Sequence, residues 1–378
     1  MKRICIVTTV DVTLESFVIP AANYMQKNGW DVTLACNMTN KFIDSHKDEF
    51  HLINIPMNRG SSVKDLLSMP FYFKHLFEKE HFDIVQYATP NASLYVSFGA
   101  KLAGVEKRLY CQWGIRYVGL SGFARRVFKG IEKFTCSNST HIRPASWKNL
   151  EFAVNEGLYK RDKAAAIGDG GTIGIDLKQF DVSQKVRNKI DVLTKSPQLK
   201  DKIVFCFVGR LNRDKGVFEL LESFQRLNKE RNDVALLMIG DMEGKLPAHL
   251  ENIKQNENVV LTGWTNEVPK YISVSDVLVH PSYREGFSMV IQQAMAMEIP
   301  IVTTDIPGPS EVIEPNVSGI LAKPRDVNSL YSCMKWMAEH PVERVAMGKA
   351  GRKRCEDKFT RERMLRLTLE DREQILQS

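Results

Sequence analysis

Three short stretches of this 378-residue chain hold residues whose types and spacing could do chemistry. In "SYREGFSMVIQQAMAMEIPIV", residues 282–302, Glu285, Gly286, Phe287 and Ser288 stand where a helix begins, with Gln293 eight positions after the acid. A helix start exposes unpaired N–H groups and partial positive charge, so it attracts anions. A carboxylate there either caps the helix or holds the neutral part of a ligand whose phosphates sit on the N–H groups of Gly286 to Met289. In "FVGRLNRDKGVFELLESF", Arg210 follows Gly209 at a strand end and Lys215 directly precedes a helix. A planar guanidinium fork beside a lysine point charge suits a diphosphate. Taken alone, the segment reads as an exposed basic turn. In "LTGWTNEVPKYISVSDVLVHPS", Gly263, Trp264 and Thr265 end another strand, where the edge of a nucleotide base would fit. Trp264 stacked on that base and Trp264 in the core are both compatible with the sequence. The signal lies in the order and spacing of all three.

The elements that must position these residues alternate. "RICIVT", "WDVTLAC", "FHLINI", "DIVQYA" and "KRLYCQW" read as strands, and "ESFVIPAANYMQKNG", "VKDLLSMPFYFKHLFEKE" and "ASLYVSFGAKLAGV" as helices. The rhythm breaks at "AIGDGGTIGIDLKQFD", residues 166–181, which suits a loop. "GDGGTIG" fails the dinucleotide fingerprint because its sixth residue is Ile173. After a helix around 183–194, "KIVFCFVG", "DVALLMIG", "NVVLTG", "DVLVH" and "IPIVTT" resume the alternation. The expected fold is α/β, two doubly wound Rossmann-like domains facing a cleft, with ligands at the carboxyl ends of the strands.

Length fits two domains of about 180 residues. No apolar run approaches the ~20 residues that span a bilayer. The N-terminal "MKRICIVTTVDVTLES" reads as a first strand over 3–8 rather than a signal peptide, because Asp11 interrupts its apolar run. Seven scattered cysteines, never spaced C-x-x-C, argue against a disulfide framework or zinc site and for a reducing cytoplasm. Between Lys101 and Lys163 thirteen Lys and Arg face five Asp and Glu, leaving the rest of the chain near neutral. Such a segment suits an anionic partner. No nucleic-acid recognition motif accompanies it.

The stretch 203–325 resembles family 4 of the retaining glycosyltransferases, with the two-domain GT-B fold. The resemblance rests on "VGRLNRDKG", "GW" and "SDVLVHPSYREGFSMVIQQAMAMEIPIVTTDIPGPSEVI…NVSGILAKPRD". "CQWGIRYVGLSGFARRVFKGIEK" and "GTIGIDLKQF" resemble its bacterial branch that builds capsule, O-antigen and other lipid-linked glycans. The resemblance implies an acceptor-binding domain over 1–178, a nucleotide-sugar-binding domain over 179–358, and a helix over 359–378 that packs back on the first. It implies that Arg210 and Lys215 hold the donor diphosphate and Glu285 the sugar hydroxyls, with Gly209, Gly263, Trp264, Thr265, Gly286, Phe287, Ser288 and Met289 around the donor. Where relatives carry a second glutamate on the ribose, this chain has Gln293, an amide that still accepts and donates. The chain has no D-x-D pair, and the resemblance implies that Arg210 and Lys215 take the place of a metal, with no cofactor expected. The donor implied by the resemblance is a nucleotide sugar, expected to be UDP-linked. The acceptor implied is a polyprenyl-diphosphate-linked glycan, expected at the inner face of the plasma membrane. The alternatives are a soluble acceptor, or a degenerate relative that binds nucleotide without turnover.

The first half departs from the family. Gln86, Ala88 and Trp113 occupy positions where relatives have histidines, and "TTVDVTLES" replaces a glycine-rich loop. Trp113, Arg116 and Thr9 are candidate acceptor contacts, with a buried tryptophan the alternative for Trp113. In "GFARRVFKGIEKF", 122–134, Phe123, Val127 and Ile131 share a helical face, with Arg125, Arg126, Lys129 and Lys133 around it. Such a helix either rests on an anionic membrane surface or packs on the core with solvated cations. Residues 66–82 form a second, less charged candidate.

Overall fold

The computed structural model describes residues 1–57, 60 and 63–378. Among them the chain divides into two compact units, Met1–Ile173 with Glu362–Ser378, and Gly174–Arg361.

In unit 1 the order is β1 (Lys2–Val10), α1 (Asp11–Phe17), α2 (Ile19–Lys27), β2 (Trp30–Asn37), α3 (Asn40–His46) and β3 (His51–Asn54). It continues through α4 (Val63–Glu80), β4 (Ile84–Tyr87), α5 (Pro90–Leu102), β5 (Lys107–Gln112), α6 (Gly122–Asn138), β6 (His141–Pro144) and α7 (Trp147–Asn155). Unit 2 begins with α8 (Lys185–Lys195), β7 (Ile203–Val208), α9 (Val217–Glu230), β8 (Val234–Ile239), β9 (Val259–Leu261), α10 (Val268–Ser273) and β10 (Val277–His280). It ends with α11 (Met289–Ala296), β11 (Ile301–Thr304), α12 (Pro309–Val312), β12 (Gly319–Ala322), α13 (Val327–Glu339) and α14 (Pro341–Lys358); α15 spans Arg361–Gln377.

The sheets run β3-β2-β1-β4-β5-β6 and β12-β11-β10-β7-β8-β9, with every strand pair parallel. Both orders are the doubly wound arrangement, with the reversal between β1 and β4 and between β7 and β10. Strands buried on both faces explain the apolar runs, such as β8, in which all six residues are buried. The single helix expected over 15–29 is two, because Pro20 has no N–H to donate and is accommodated in the first turn of α2. β6 and β12 went unforeseen: the first, HIRP, ends on proline and the second, GILA, opens on glycine, residues that weaken a strand pattern.

α15 belongs to the unit 1 core through Leu369 and Ile375. Its Arg372 donates to Gln86 Oε1 at 3.0 Å, and its Asp371 pairs with Arg143 at 2.6 Å. All seven cysteines are free and buried.

Candidate functional site

The topology explains why two stretches 70 residues apart in sequence meet. Arg210 and Lys215 follow β7, Glu285 follows β10, and these strands pair at Val277–Phe205 and Leu278–Cys206, across the reversal where ligands of such sheets bind. Lys215 Nζ donates to Glu285 Oε1. The same oxygen lies 3.3 Å from Ser282 Oγ and 3.3 Å from His280 Nε2. Burial works against the charge of Glu285, but the Lys215 ammonium and His280 outweigh it and hold the carboxyl well below the usual range. The close approach depends on Gly216, whose φ is +68° and where a Cβ would lie 2.1 Å from the Pro281 carbonyl oxygen. That glycine fixes the Lys215 turn against the segment leading to Glu285.

Arg210 is exposed and pairs with Glu243, Nη1 to Oε2 at 3.0 Å, while Asn212 Nδ2 donates to the same oxygen at 2.9 Å. Asn212 and the Arg210 partner hold the Glu243 carboxyl below its usual range. The strand ends close up through Gly240, whose N–H donates to the Gly263 carbonyl at 2.9 Å and whose absent Cβ would stand 2.1 Å from the Gly209 oxygen. Trp264 is 74% exposed, with its backbone N–H donating to Asp241 Oδ1 at 2.9 Å. The core alternative for this residue is thereby excluded. Thr265 Oγ1 accepts from the Glu267 N–H at 3.0 Å.

The helix after Glu285 starts one turn later than the motif implies, with Met289 its first residue and Ser288 the N-cap, whose hydroxyl accepts from the Ile291 N–H. The Phe287 ring turns into the core and meets Phe359 edge to face at 5.3 Å, so this residue presents backbone rather than side chain. Gln293 is partly exposed on α11.

In unit 1 the first-half candidates separate. Thr9 is buried, its hydroxyl 2.7 Å from that of Thr89, tying the ends of β1 and β4 together. Trp113 is half-buried against Phe17, with ring centroids 5.6 Å apart. Arg116 lies with its guanidinium 4.3 Å over the Phe128 ring. On α6, Phe123 is 80% exposed, and Val127 and Phe134 lie along the same exposed face. That face is apolar and open, while the helix packs on the core from its other side through Phe128 and Cys136; Ile131, expected on the open face, is half-buried. Arg126 and Lys133 are exposed beside it, whereas Arg125 and Lys129 pair with Glu156 at 3.2 and 2.7 Å. The expected ring of four solvated cations is therefore two. α4 likewise exposes Leu67 and Phe71.

Sequence reasoning passed over His280 and Glu243. His280 stands in the quoted "VLVHPS", and a polar residue at a strand end beside the acid motif was the available signal. Glu243, a loop residue after β8, offered none.

Comparison with known proteins follows the same division. Residues 189–354 match the family described as Glycosyl transferases group 1, and residues 3–145 match that described as Glycosyl transferase 4-like. The capsular polysaccharide biosynthesis glycosyltransferase CapM of Staphylococcus aureus is 28% identical over 345 residues, covering 89% of this chain and 88% of CapM. The UDP-Gal:alpha-D-GlcNAc-diphosphoundecaprenol alpha-1,3-galactosyltransferase of Escherichia coli is 25% identical, covering 83% and 81%. Among solved structures, HepE of Anabaena in complex with UDP and glucose aligns over 99% of this chain and all of its own, at a TM-score of 0.79 and 15% identity. Two doubly wound units of the GT-B fold, each matched by its own glycosyltransferase family, make this chain a glycosyltransferase of the family 4 type, related to the bacterial enzymes of capsule and lipid-linked glycan assembly.

Proposed function

We propose that the chain transfers a hexose or N-acetylhexosamine, with retention, from a UDP-linked sugar to a polyprenyl-diphosphate-linked glycan in surface-polysaccharide assembly. The observation that carries this reading is Lys215 and Glu285 held together at the β7–β10 reversal, with Arg210 on the same strand end. Arg210 and Lys215 bind the donor diphosphate, Arg210 exchanging Glu243 for phosphate. Glu285 grips the sugar hydroxyls, and backbone N–H groups from Gly286 to Met289 take phosphate and sugar oxygens. Gly209 and Gly263 leave room for the donor, exposed Trp264 with Thr265 flanks the base, and Gln293 meets the ribose.

In the reaction the C1–oxygen bond breaks with its electron pair leaving on the diphosphate, while positive charge builds on the sugar ring. Fixed cations at the leaving group stabilise that separation, and in this reading they do so without a metal or cofactor. The acceptor hydroxyl attacks the face the diphosphate leaves, and its proton passes to a phosphate oxygen.

The names of relatives support the donor and acceptor classes: the E. coli enzyme is named for UDP-Gal and a diphosphoundecaprenol acceptor, and HepE was solved with UDP. No helix among the described residues is long and apolar enough to cross a membrane. We assign acceptor access to peripheral contact through the open faces of α6 and α4, flanked by Arg126 and Lys133, at the inner face of the plasma membrane.

A thermal-shift screen of nucleotides tests the donor site. UDP at a hundred times its dissociation constant adds about 2.7 kcal/mol of stability. If no nucleotide raises the melting temperature at millimolar concentration, the assignment is wrong. NMR of the anomeric proton of the product tests retention.

A further inference from the structure

Unit 1 contains a pocket of about 150 Å³ between the starts of α4 and α5, α6 and β5. Its lining includes Leu94, Tyr95, Phe128 and Ile131, the exposed Arg116 and the nearly buried Glu132, with Asn91 and Thr135 as further polar groups. Glu132 is 9% exposed. Its Oε1 accepts from Tyr110 Oη at 2.9 Å and from Gln112 Nε2 at 2.6 Å. The Gln112 amide is in turn fixed by Tyr159 Oη, which donates to its Oε1 at 3.1 Å. Glu132 Oε2 has no hydrogen-bond partner among the described residues. A nearly buried carboxyl is thus clamped by one oxygen, and the other is left to the pocket.

We infer that this pocket binds one sugar ring, with a ring hydroxyl on Glu132 Oε2 and the exposed Arg116 donating. The chemistry of the lining separates three classes of ligand. A hydrocarbon chain fits the walls but would seal an oxygen away from any partner, at a cost of about 1–3 kcal/mol. A phosphate fits Arg116 but would meet the Glu132 carboxyl. A polyol has O–H groups for the carboxyl, oxygens for a guanidinium that only donates, and C–H faces for the aromatic walls. A cavity of this volume holds one six-membered ring. Burial raises the Glu132 carboxyl; with Oε1 engaged as acceptor, a proton taken up resides on Oε2, where it also serves a hydroxyl. Assigning the ring to the acceptor glycan rests on the transferase reading above, whereas binding of the ring itself does not.

The test is saturation-transfer NMR on the full chain with methyl glucoside, methyl galactoside and methyl N-acetylglucosaminide, with geraniol as the hydrocarbon probe and inorganic phosphate as the anion. At least one glycoside should receive saturation, and Leu94→Trp, which fills the pocket without touching Glu132, should abolish it. Glu132→Leu should weaken that glycoside about tenfold or more, the loss of one hydrogen bond to a carboxylate, while geraniol binding rises; Glu132→Gln should retain the sugar. Should Glu132→Leu fail to fold, Leu94→Trp decides alone. The inference is overturned if no glycoside binds the parent, if binding survives Leu94→Trp, or if geraniol or phosphate occupies the parent pocket in preference. The UDP thermal shift, taken on the same samples, should be equal in the parent and Leu94→Trp; its absence in both would count against the donor site and leave the pocket result standing.

Discussion

Replacing Glu285 by Gln should separate stability, nucleotide affinity and turnover, each in its own direction. The amide keeps nearly the same shape and can still accept from Lys215 and Ser282, so the change is mainly one of charge. At an effective dielectric of about 20, two unit charges about 4 Å apart attract by about 4 kcal/mol. The side chains of Lys215 and Glu285 are 22% and 19% exposed, so solvent screens part of this, and about 2 kcal/mol is the expected loss in the ligand-free protein. For a unit of this size that lowers the melting temperature by about 4–8 °C. The sign with pH follows from the depressed carboxyl. The pair contributes fully above the ordinary glutamate range near ~4.3 and is lost as pH falls below it, so parent and variant converge in acid. UDP should bind the variant more tightly, about fivefold for each ~1 kcal/mol by which Lys215 no longer serves two anions. Turnover should fall about 10²–10³-fold, the scale of losing one fixed group aimed at the transition state. Calorimetry with UDP, melting curves from neutral to acid pH and donor hydrolysis measure the three. If the variant loses UDP affinity as Arg210→Ala does, Glu285 holds the nucleotide rather than the sugar, and the division of roles fails.

Gly216→Ala should cost more than the ~1–2 kcal/mol of a left-handed residue, because its methyl would displace the Pro281 carbonyl; a lower melting temperature with weakened UDP binding is expected, and an unchanged UDP shift would show that the two loops are not coupled. Burial, reinforced by Arg143, lowers His141 from 6.5 to about 4, so the neutral ring is favoured in the fold. Its contribution is complete above about 6.5 and is lost as pH falls towards 4; His141→Asn should flatten that part of a melting-temperature profile. On acidic vesicles, Arg126→Ala with Lys133→Ala should weaken binding about thirtyfold, at about 1 kcal/mol per cation, and Phe123→Ser should weaken it further. Equal pelleting of parent and variants, or indifference of the parent to lipid charge, would return α6 to an ordinary surface helix.

What was legible in the sequence was what local chemistry encodes. Strands buried on both faces announce themselves as apolar runs, and their alternation with amphipathic helices fixed the class of fold. The cations and acid of the second half were readable because strand ends and helix starts are marked by glycine. Pairings set by tertiary approach were not readable. Nothing in "GDMEG" indicates that Glu243 meets Arg210, and nothing in "RRVFK" separates Arg125 and Lys129, committed to Glu156, from Arg126, which faces solvent. Gln86, where the family resemblance led us to expect a histidine, shows the same limit. Gln86 accepts from Arg372, so it anchors the C-terminal helix, a partner 286 residues away that no local pattern could supply.

The two cations assigned to the diphosphate are each paired with an acid at rest, and the two pairs differ in how easily they part. Arg210 and Glu243 are 60% and 47% exposed, a setting in which an ion pair is worth about 0.2–1 kcal/mol. Lys215 and Glu285 are far less accessible, and separating them would leave a poorly solvated charge, at a cost of several kcal/mol. Under the proposed function the diphosphate therefore displaces Glu243 from Arg210 but joins Lys215 without expelling Glu285. This keeps the sugar-binding carboxylate beside the leaving group, bridged to it by one ammonium. It also assigns the two acids opposite effects. Loss of Glu243 should modestly tighten UDP, by no more than about fivefold, and leave turnover of bound donor intact, whereas loss of Glu285 tightens UDP and abolishes most of the turnover. A Glu243→Ala enzyme with impaired turnover at saturating donor would show that Glu243 remains in the working site, and that the diphosphate does not take its place on Arg210.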